Sequence, residues 1–320
     1  MKSDTLHEAT ETADLHQRTV ALLERLAPME GYTATPIPNM RLLRSNRPLS
    51  TTAVLYEPGI VFVCQGRKRG IWGDKVYLYD AQHYLAVSVP VPFTMETDAT
   101  ADEPLLAIYL TLDLSVVAEL TMQLNGLLGP VEADPVSMLS TPMEARLSDC
   151  VLRLLETATS PIESAVLAPA IVREIYFRVL NGEQGPALRA ALSNQGRVAR
   201  IGKALRKIHG ACAEALDIEH LAAESGMSVS TFHTHFKEIT HTSPMQYLKS
   251  IRLHKARLLM LRENMTAGAA AMRVGYESSS QFSREFKRLF GLSPVSEVKR
   301  LRETFAMPEI AGDEQWVSSH

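Results

Sequence analysis

Three cysteines in 320 residues, Cys64, Cys150 and Cys212, are too few and too widely spaced for a disulfide framework or a four-cysteine zinc site. They fit reduced thiols, and the expected location is the cytoplasm. No apolar run approaches the ~18 residues that a membrane span requires, and the N-terminus MKSDTLHEATETADLH is polar and acidic, unlike a signal peptide. Histidine is scarce in the first half, where His83 is the only one between His16 and His209. A catalytic metal held by His and Glu ligands is therefore not expected there, and no cofactor is implied. A net charge of one sign is lacking too, since the whole chain carries only −3. That value hides a division: residues 197–303 hold 18 Lys and Arg against 10 Asp and Glu, a net of +8, whereas residues 1–196 hold 15 against 23, a net of −8. A basic half attracts a polyanion, and an acidic half repels one.

What the basic half contains is a repeat at an offset of 50 residues. Phe232, Phe236, Lys237, Ser243, Pro244 and Lys249 recur as Phe282, Phe286, Lys287, Ser293, Pro294 and Lys299. Internal repetition specifies an architecture before any single motif does. Each copy opens on a glycine, Gly226 or Gly275, enters a short helix bearing Phe-x-x-x-Phe-Lys, and closes on Ser-Pro. Val229, Phe232, Phe236 and Ile239 form one helical stripe that must face a core; in the second copy Phe282, Phe286 and Leu289 do the same. The opposite faces then carry Ser230, His233, Thr234 and Lys237, and Ser279, Ser280, Ser283, Arg284 and Lys287. Short polar donors and cations are the side chains that contact base edges and phosphates. Alanine-rich segments, 218–225 and 267–274, precede each such helix, with Asp217 and Ser228 placed as N-caps.

The segments GMSVSTFHTHFKEITHTSPMQYLKSIRLHKARLLM and VGYESSSQFSREFKRLFGLSP resemble the DNA-binding domain of AraC/XylS-family transcriptional regulators, over roughly residues 197–302. The resemblance implies two helix-turn-helix modules joined by a long central helix, here 244–262, with Tyr247, Ile251, Leu258 and Leu259 on its apolar side. It further implies base contacts from Ser230, His233 and Thr234 in the first module and from Ser279, Ser280, Ser283 and Arg284 in the second. Two positions depart from the pattern: Thr234 stands where many relatives carry a longer basic residue, and Val298 replaces the usual tyrosine after the second Ser-Pro. The first helix is accordingly expected to read less, and the C-terminal end to pack differently.

The acidic half reads as short strands at 53–56, 60–65, 69–72, 75–79, 84–89, 93–97 and 105–112, with Gly73-Asp74 as a hairpin turn. LYEPGIVFVCQGRKRGIWGDKVYLYDAQHYLAVSVPVP resembles the cupin-like N-terminal domain of many AraC-type regulators, which implies effector binding or dimerisation. Helices are expected at 114–128, 143–157 and 163–180. The last carries Val166, Leu167, Ile171, Ile175 and Val179 as a stripe for either its own barrel or a second subunit. Residues 181–196 break on Gly and Pro as a linker.

The expected fold is thus α+β: residues 1–190 a cupin-like β-barrel with following helices, 191–196 a linker, 197–303 an all-α double helix-turn-helix domain, and 304–320 an acidic tail. His233, His235 and His241 do not make a metal site, because positions two apart on a helix face different ways and no carboxylate or cysteine set completes a tetrahedron. Cys64 falls in an expected strand, where a free cysteine serves as a small buried hydrophobe in preference to a reactive sensor. The expected activity is sequence-specific DNA binding under control of a small-molecule effector. A constitutive DNA binder and a cupin-type enzyme with accessory DNA binding are the alternatives. Expected partners are double-stranded DNA, a small-molecule effector and, as a further contact, RNA polymerase, with no membrane and with monomer and homodimer both open.

Overall fold

Strand alternation organises the N-terminal half. In β4 (Gly59–Gln65) the residues Val61 and Val63 face one core, while Ile60, Phe62 and Cys64 face another; in β9 (Leu105–Thr111) Leu105, Ala107 and Tyr109 oppose Leu106, Ile108 and Leu110 in the same way. Side chains on a strand alternate between faces, so near-continuous apolar runs mark strands covered on both sides. The structure, a computed structural model, describes residues 2–129, 133–192, 197–214 and 216–304.

Around this central pair lie β1 (Gly31–Ala34), β2 (Met40–Ser45), β3 (Leu49–Tyr56), β5 (Arg67–Trp72), β6 (Lys75–Asp80), β7 (His83–Val87), β8 (Val91–Asp98) and β10 (Met138–Pro142). The order is β1-β2-β9-β4-β7-β6-β5-β8-β3, with β10 added on β7, and every pairing is antiparallel. Hydrogen bonding does not run from β3 back to β1, so the expected barrel is a half-barrel. All seven expected strands are present. β1, β2 and β10 are additional, and their polar or proline-flanked sequences carry little alternation.

The outer face of the sheet is covered by α1 (Lys2–Leu26), α2 (Leu114–Leu128), α3 (Ala145–Thr157), α5 (Ala168–Asn181) and α6 (Gly185–Leu192), with α4 (Pro161–Val166) leading into α5. Three expectations need correction. The sequence reading did not anticipate α1. Residues 163–180 form two helices rather than one, because Pro169 lacks an N–H and fits the first turn of a new helix, not the middle of a long one. The stripe divides accordingly: Ile171, Ile175 and Val179 are buried in their own domain, whereas Val166 and Leu167 are exposed. Residues 185–192 of the expected linker form α6, which buries Leu188 and Ala191; residues 193–196 lie outside the described residues, as does all but the first residue of the acidic tail.

The C-terminal half is helical: α7 (Arg197–Gly210), α8 (Ile218–Glu224), α9 (Val229–Thr240), α10 (Pro244–Arg262), α11 (Ala267–Arg273), α12 (Ser279–Phe290) and α13 (Pro294–Thr304). Its core residues, among them Phe232, Phe236, Tyr247, Phe282 and Phe286, join the inner face of the sheet in one continuous apolar cluster. Val298, at a position of departure from the family pattern, is buried in that cluster.

Candidate nucleic-acid interface and interdomain cleft

The two modules are built by the same local devices. Asp217 caps α8 by accepting from the Glu219 amide at 3.0 Å, and Thr266 caps α11 by accepting from Ala269 at 3.2 Å. Ser228 and Ser278 cap α9 and α12, each accepting at 3.3 Å from the amide three residues on. Such caps satisfy N–H groups that a helix start leaves open. The turns between helices match as well: the Met227 amide donates to Ala222 O at 3.0 Å, and the Tyr276 amide to Ala271 O at 2.9 Å. Gly275 has φ +87°, and a side chain there would strike the carbonyl oxygen of Ala213, so only glycine fits.

Each second helix is anchored by an aromatic pair. Phe232 and Phe236 have ring centroids 5.5 Å apart, Phe282 and Phe286 5.4 Å, and all four are fully buried. Val229, expected in the first stripe, is instead exposed at the start of α9, where the helix overhangs its core. Glu285 ties α12 to the central helix, accepting from Lys249 Nζ at 2.8 Å and from Tyr276 Oη at 2.8 Å. Burial opposes its ionisation, yet these bonds and one from Gln281 hold its carboxyl below the usual range.

With the aromatics turned inward, every candidate contact residue is exposed: Ser230, His233, Thr234 and Lys237 on α9, and Ser279, Ser280, Ser283, Arg284 and Lys287 on α12. Thr234 Oγ1 donates to Ser230 O at 3.1 Å, so its hydroxyl proton is occupied by the helix itself. Arg284 and Lys287 have no carboxylate partner among the described residues. Thr231 and Arg288, which the sequence reading passed over, share these exposed faces; continuing the helical projection one further turn would have included Arg288. His235 is half-buried and His241 lies against Trp72, and among the described residues no group of His, Cys, Asp or Glu could hold a metal ion.

The half-barrel grips the C-terminal half at several points. Ser137 Oγ donates to Ile239 O near the end of α9 at 3.0 Å, and the Trp72 ring meets the His241 ring edge-on at 4.3 Å. On the central helix, Tyr247 Oη donates to Pro90 O at 3.0 Å, and on α7 His209 Nδ1 approaches Glu57 Oε1 at 3.2 Å. Arg257 is fully buried, donating to Ala53 O and Glu297 Oε1, both at 3.1 Å, and lying 4.0 Å from the Phe290 ring centroid. Burial lowers its pKa to about 10, with Glu297 opposing the shift.

Beside these contacts a cleft of about 780 Å³ opens between the halves. The β3–β4 turn at Glu57 and Pro58, the Ser88–Pro90 segment and the start of α2 form one wall; α7, α10 and α11 form the other. A second cavity, about 830 Å³, lies under α1 near Cys64 and His83 and is lined by N-terminal residues alone. Burial pushes the Cys64 thiol up to about 12, which suits a packing residue. On the inner face of the sheet, Lys68 is buried with its Nζ 3.1 Å from Tyr56 Oη, and burial lowers its pKa to about 7.

Residues 36–187 match the family model described as AraC-type transcriptional regulator N-terminus, and residues 221–300 match a helix-turn-helix domain. The transcriptional regulator AlkR of Acinetobacter baylyi is 37% identical over 94 residues, 29% of this chain and 31% of that protein. The transcriptional activator RhaS of Salmonella agona is 30% identical over 159 residues, 48% of this chain and 56% of that protein; the Citrobacter koseri RhaS is 27% identical over 230 residues, 69% and 80%. The chain thus spans about a third to about half the length of the first two relatives. ToxT of Vibrio cholerae, solved with an unsaturated fatty acid bound, superimposes with a TM-score of 0.58 at 12% identity, covering 87% of this chain and 100% of that one, and so shares the fold. With both domain matches in the order of the two folded halves, the chain belongs to the AraC family of transcriptional regulators.

Proposed function

We propose that this protein binds duplex DNA sequence-specifically through α9 and α12 and regulates transcription, with the half-barrel controlling the DNA-binding half in response to a small molecule. The observation that carries the reading is the pair of exposed polar and cationic faces, on equivalent helices of two modules, in a half-chain of net +8. Two such helices in one monomer suit successive major grooves on one side of the duplex, ~34 Å apart. Control through the half-barrel is supported by the contacts it makes to the end of α9 and to α10, the helix that joins the modules. That a protein of this fold, ToxT, is solved with a fatty acid bound supports a small-molecule effector.

Selection of binding sequences from a random duplex pool by the full chain, followed by titration at several salt concentrations, tests the reading. With on the order of six to ten phosphate contacts, affinity should fall ~10³ to 10⁵-fold between 50 and 200 mM salt. A flat salt response, or no enriched sequence, would overturn it.

A further inference from the structure

Three polar contacts meet where α7 and α10 face the half-barrel. His209 Nδ1 stands 3.2 Å from the Glu57 carboxylate, His209 Nε2 stands 2.7 Å from Tyr247 Oη, and Tyr247 Oη stands 3.0 Å from Pro90 O. Glu57 and Pro90 belong to the half-barrel, His209 and Tyr247 to the C-terminal half, so the first and third contacts cross the interface. The His209 and Glu57 side chains are 12% and 17% exposed and Tyr247 is fully buried, which leaves water a poor substitute for a lost partner. The protons in this set can be counted. A carbonyl oxygen only accepts, so the single Tyr247 proton goes to Pro90, and the bond between Tyr247 and His209 must come from Nε2–H. A carboxylate only accepts as well, so Nδ1 must carry a hydrogen too. The three contacts together therefore need one proton more than a neutral imidazole and a carboxylate supply. Without it, one bond across the interface is lost whichever ring nitrogen keeps its hydrogen. With Nε2–H, the bare Nδ1 faces the Glu57 carboxylate; with Nδ1–H, Tyr247 must turn its proton to Nε2 and leave Pro90.

We propose that the His209–Glu57 pair is a proton-operated latch between the halves, in which one bound proton keeps both crossing contacts and its loss releases one of them. Docking is then favoured on the acid side of the range in which histidine ordinarily titrates, around pH 6.5, and weakened as pH rises through it. The other ionisable groups around the pair stay constant over that range. Burial and Glu57 push Tyr247 well above the usual tyrosine range, and they do the same to Tyr109 on β9, which donates to Glu57 O at 2.7 Å. Burial, Arg257 and His209 hold His254 on α10 well below the usual histidine range. Lys255 donates to the His209 carbonyl oxygen, and Arg206, Cys212, Arg262, Glu263 and Arg273 line the same cleft; all are of types that titrate outside pH 5.5 to 8. Any bearing of the latch on DNA binding rests on the half-barrel control proposed above, through α10, which joins the two modules.

Hydrogen exchange of the full chain at pH 5.5 and 8.0, corrected for the intrinsic rate at each pH, reads the latch without DNA. Protection at the end of α7, relative to α3, which packs on α1 and α5, should be ~10-fold greater at pH 5.5, the change expected from one charge-assisted bond. His209→Gln should remove this dependence. Glu57→Gln should remove it as well, and for a distinct reason: an amide can donate to Nδ1, so the neutral ring keeps all three contacts and protection at pH 8.0 is at least that of the parent. Normal protection of α3 checks that each variant is folded, and the Glu57 variant carries the test alone if the His209 variant is not. Protection at the end of α7 that does not change with pH, or a change that persists in a folded variant, would overturn the latch. DNA affinity at the same two pH values then separates the two readings. A pH dependence that Glu57→Gln reduces supports control through the latch, whereas parallel changes in parent and variant would uphold the latch and overturn its control of DNA binding.

Discussion

Arg284 projects from the first turns of α12 with no carboxylate partner among the described residues, and Lys287 lies one turn further on. Arg284→Ala should cost ~1 to 3 kcal/mol at the selected site and relax preference at one base pair, whereas Lys287→Ala should weaken all sequences alike. Competition titrations against random duplex measure the difference; equal losses on both would mean that Arg284 does not read a base. These residues were legible because helical spacing separates aromatic from polar faces. Lys68 was not, since a lysine in GRKRG reads as solvent-facing until the register pairs it with Thr97 and Tyr79, both inward. Its folded pKa of about 7 lies below the ordinary 10.5, so between those values the unfolded chain binds more protons. Stability should therefore rise with pH from 7 to 9, by at most about 1.4 kcal/mol per unit from this group. Above pH 9, Cys64, whose folded pKa is raised, begins to act in the opposite direction. Urea melts at pH 7 and 9 check this, and Lys68→Met should remove the rise; an unchanged slope in that variant would place its origin elsewhere.

At the scale of elements, the strands and helices α9 and α12 followed from alternation, caps and glycine turns, signals that act within a few residues. The failures share a cause: α1, α6 and the division between α4 and α5 depend on tertiary burial and on where a proline can start a helix. The two module turns offer a direct comparison. Gly226 has φ +64° with open space around it, whereas Gly275 combines φ +87° with the Ala213 carbonyl oxygen in the way of any side chain. Gly226→Ala should cost ~1 to 2 kcal/mol from the left-handed backbone alone, and Gly275→Ala clearly more. Thermal unfolding of both variants checks the order; equal costs would show that the close approach to Ala213 relaxes freely.

At the scale of the molecule, the docking of one half on the other could not be read from sequence, because it rests on single bonds between distant residues. Ser137 to Ile239, Tyr247 to Pro90 and Arg257 to Ala53 follow no local pattern. Trp72 is buried in the half-barrel and also touches His241 at the end of α9, so its emission reports on the interface itself. Trp316 lies outside the described residues. The central claim is that both modules of one chain read DNA, and footprinting of the selected duplex by the full-length protein tests it most directly. Two protected major-groove patches on one face of the duplex, ~34 Å apart, are the predicted result, with Arg284→Ala losing protection in one patch and keeping it in the other. A single protected patch, or two patches that the substitution leaves unchanged, would contradict it.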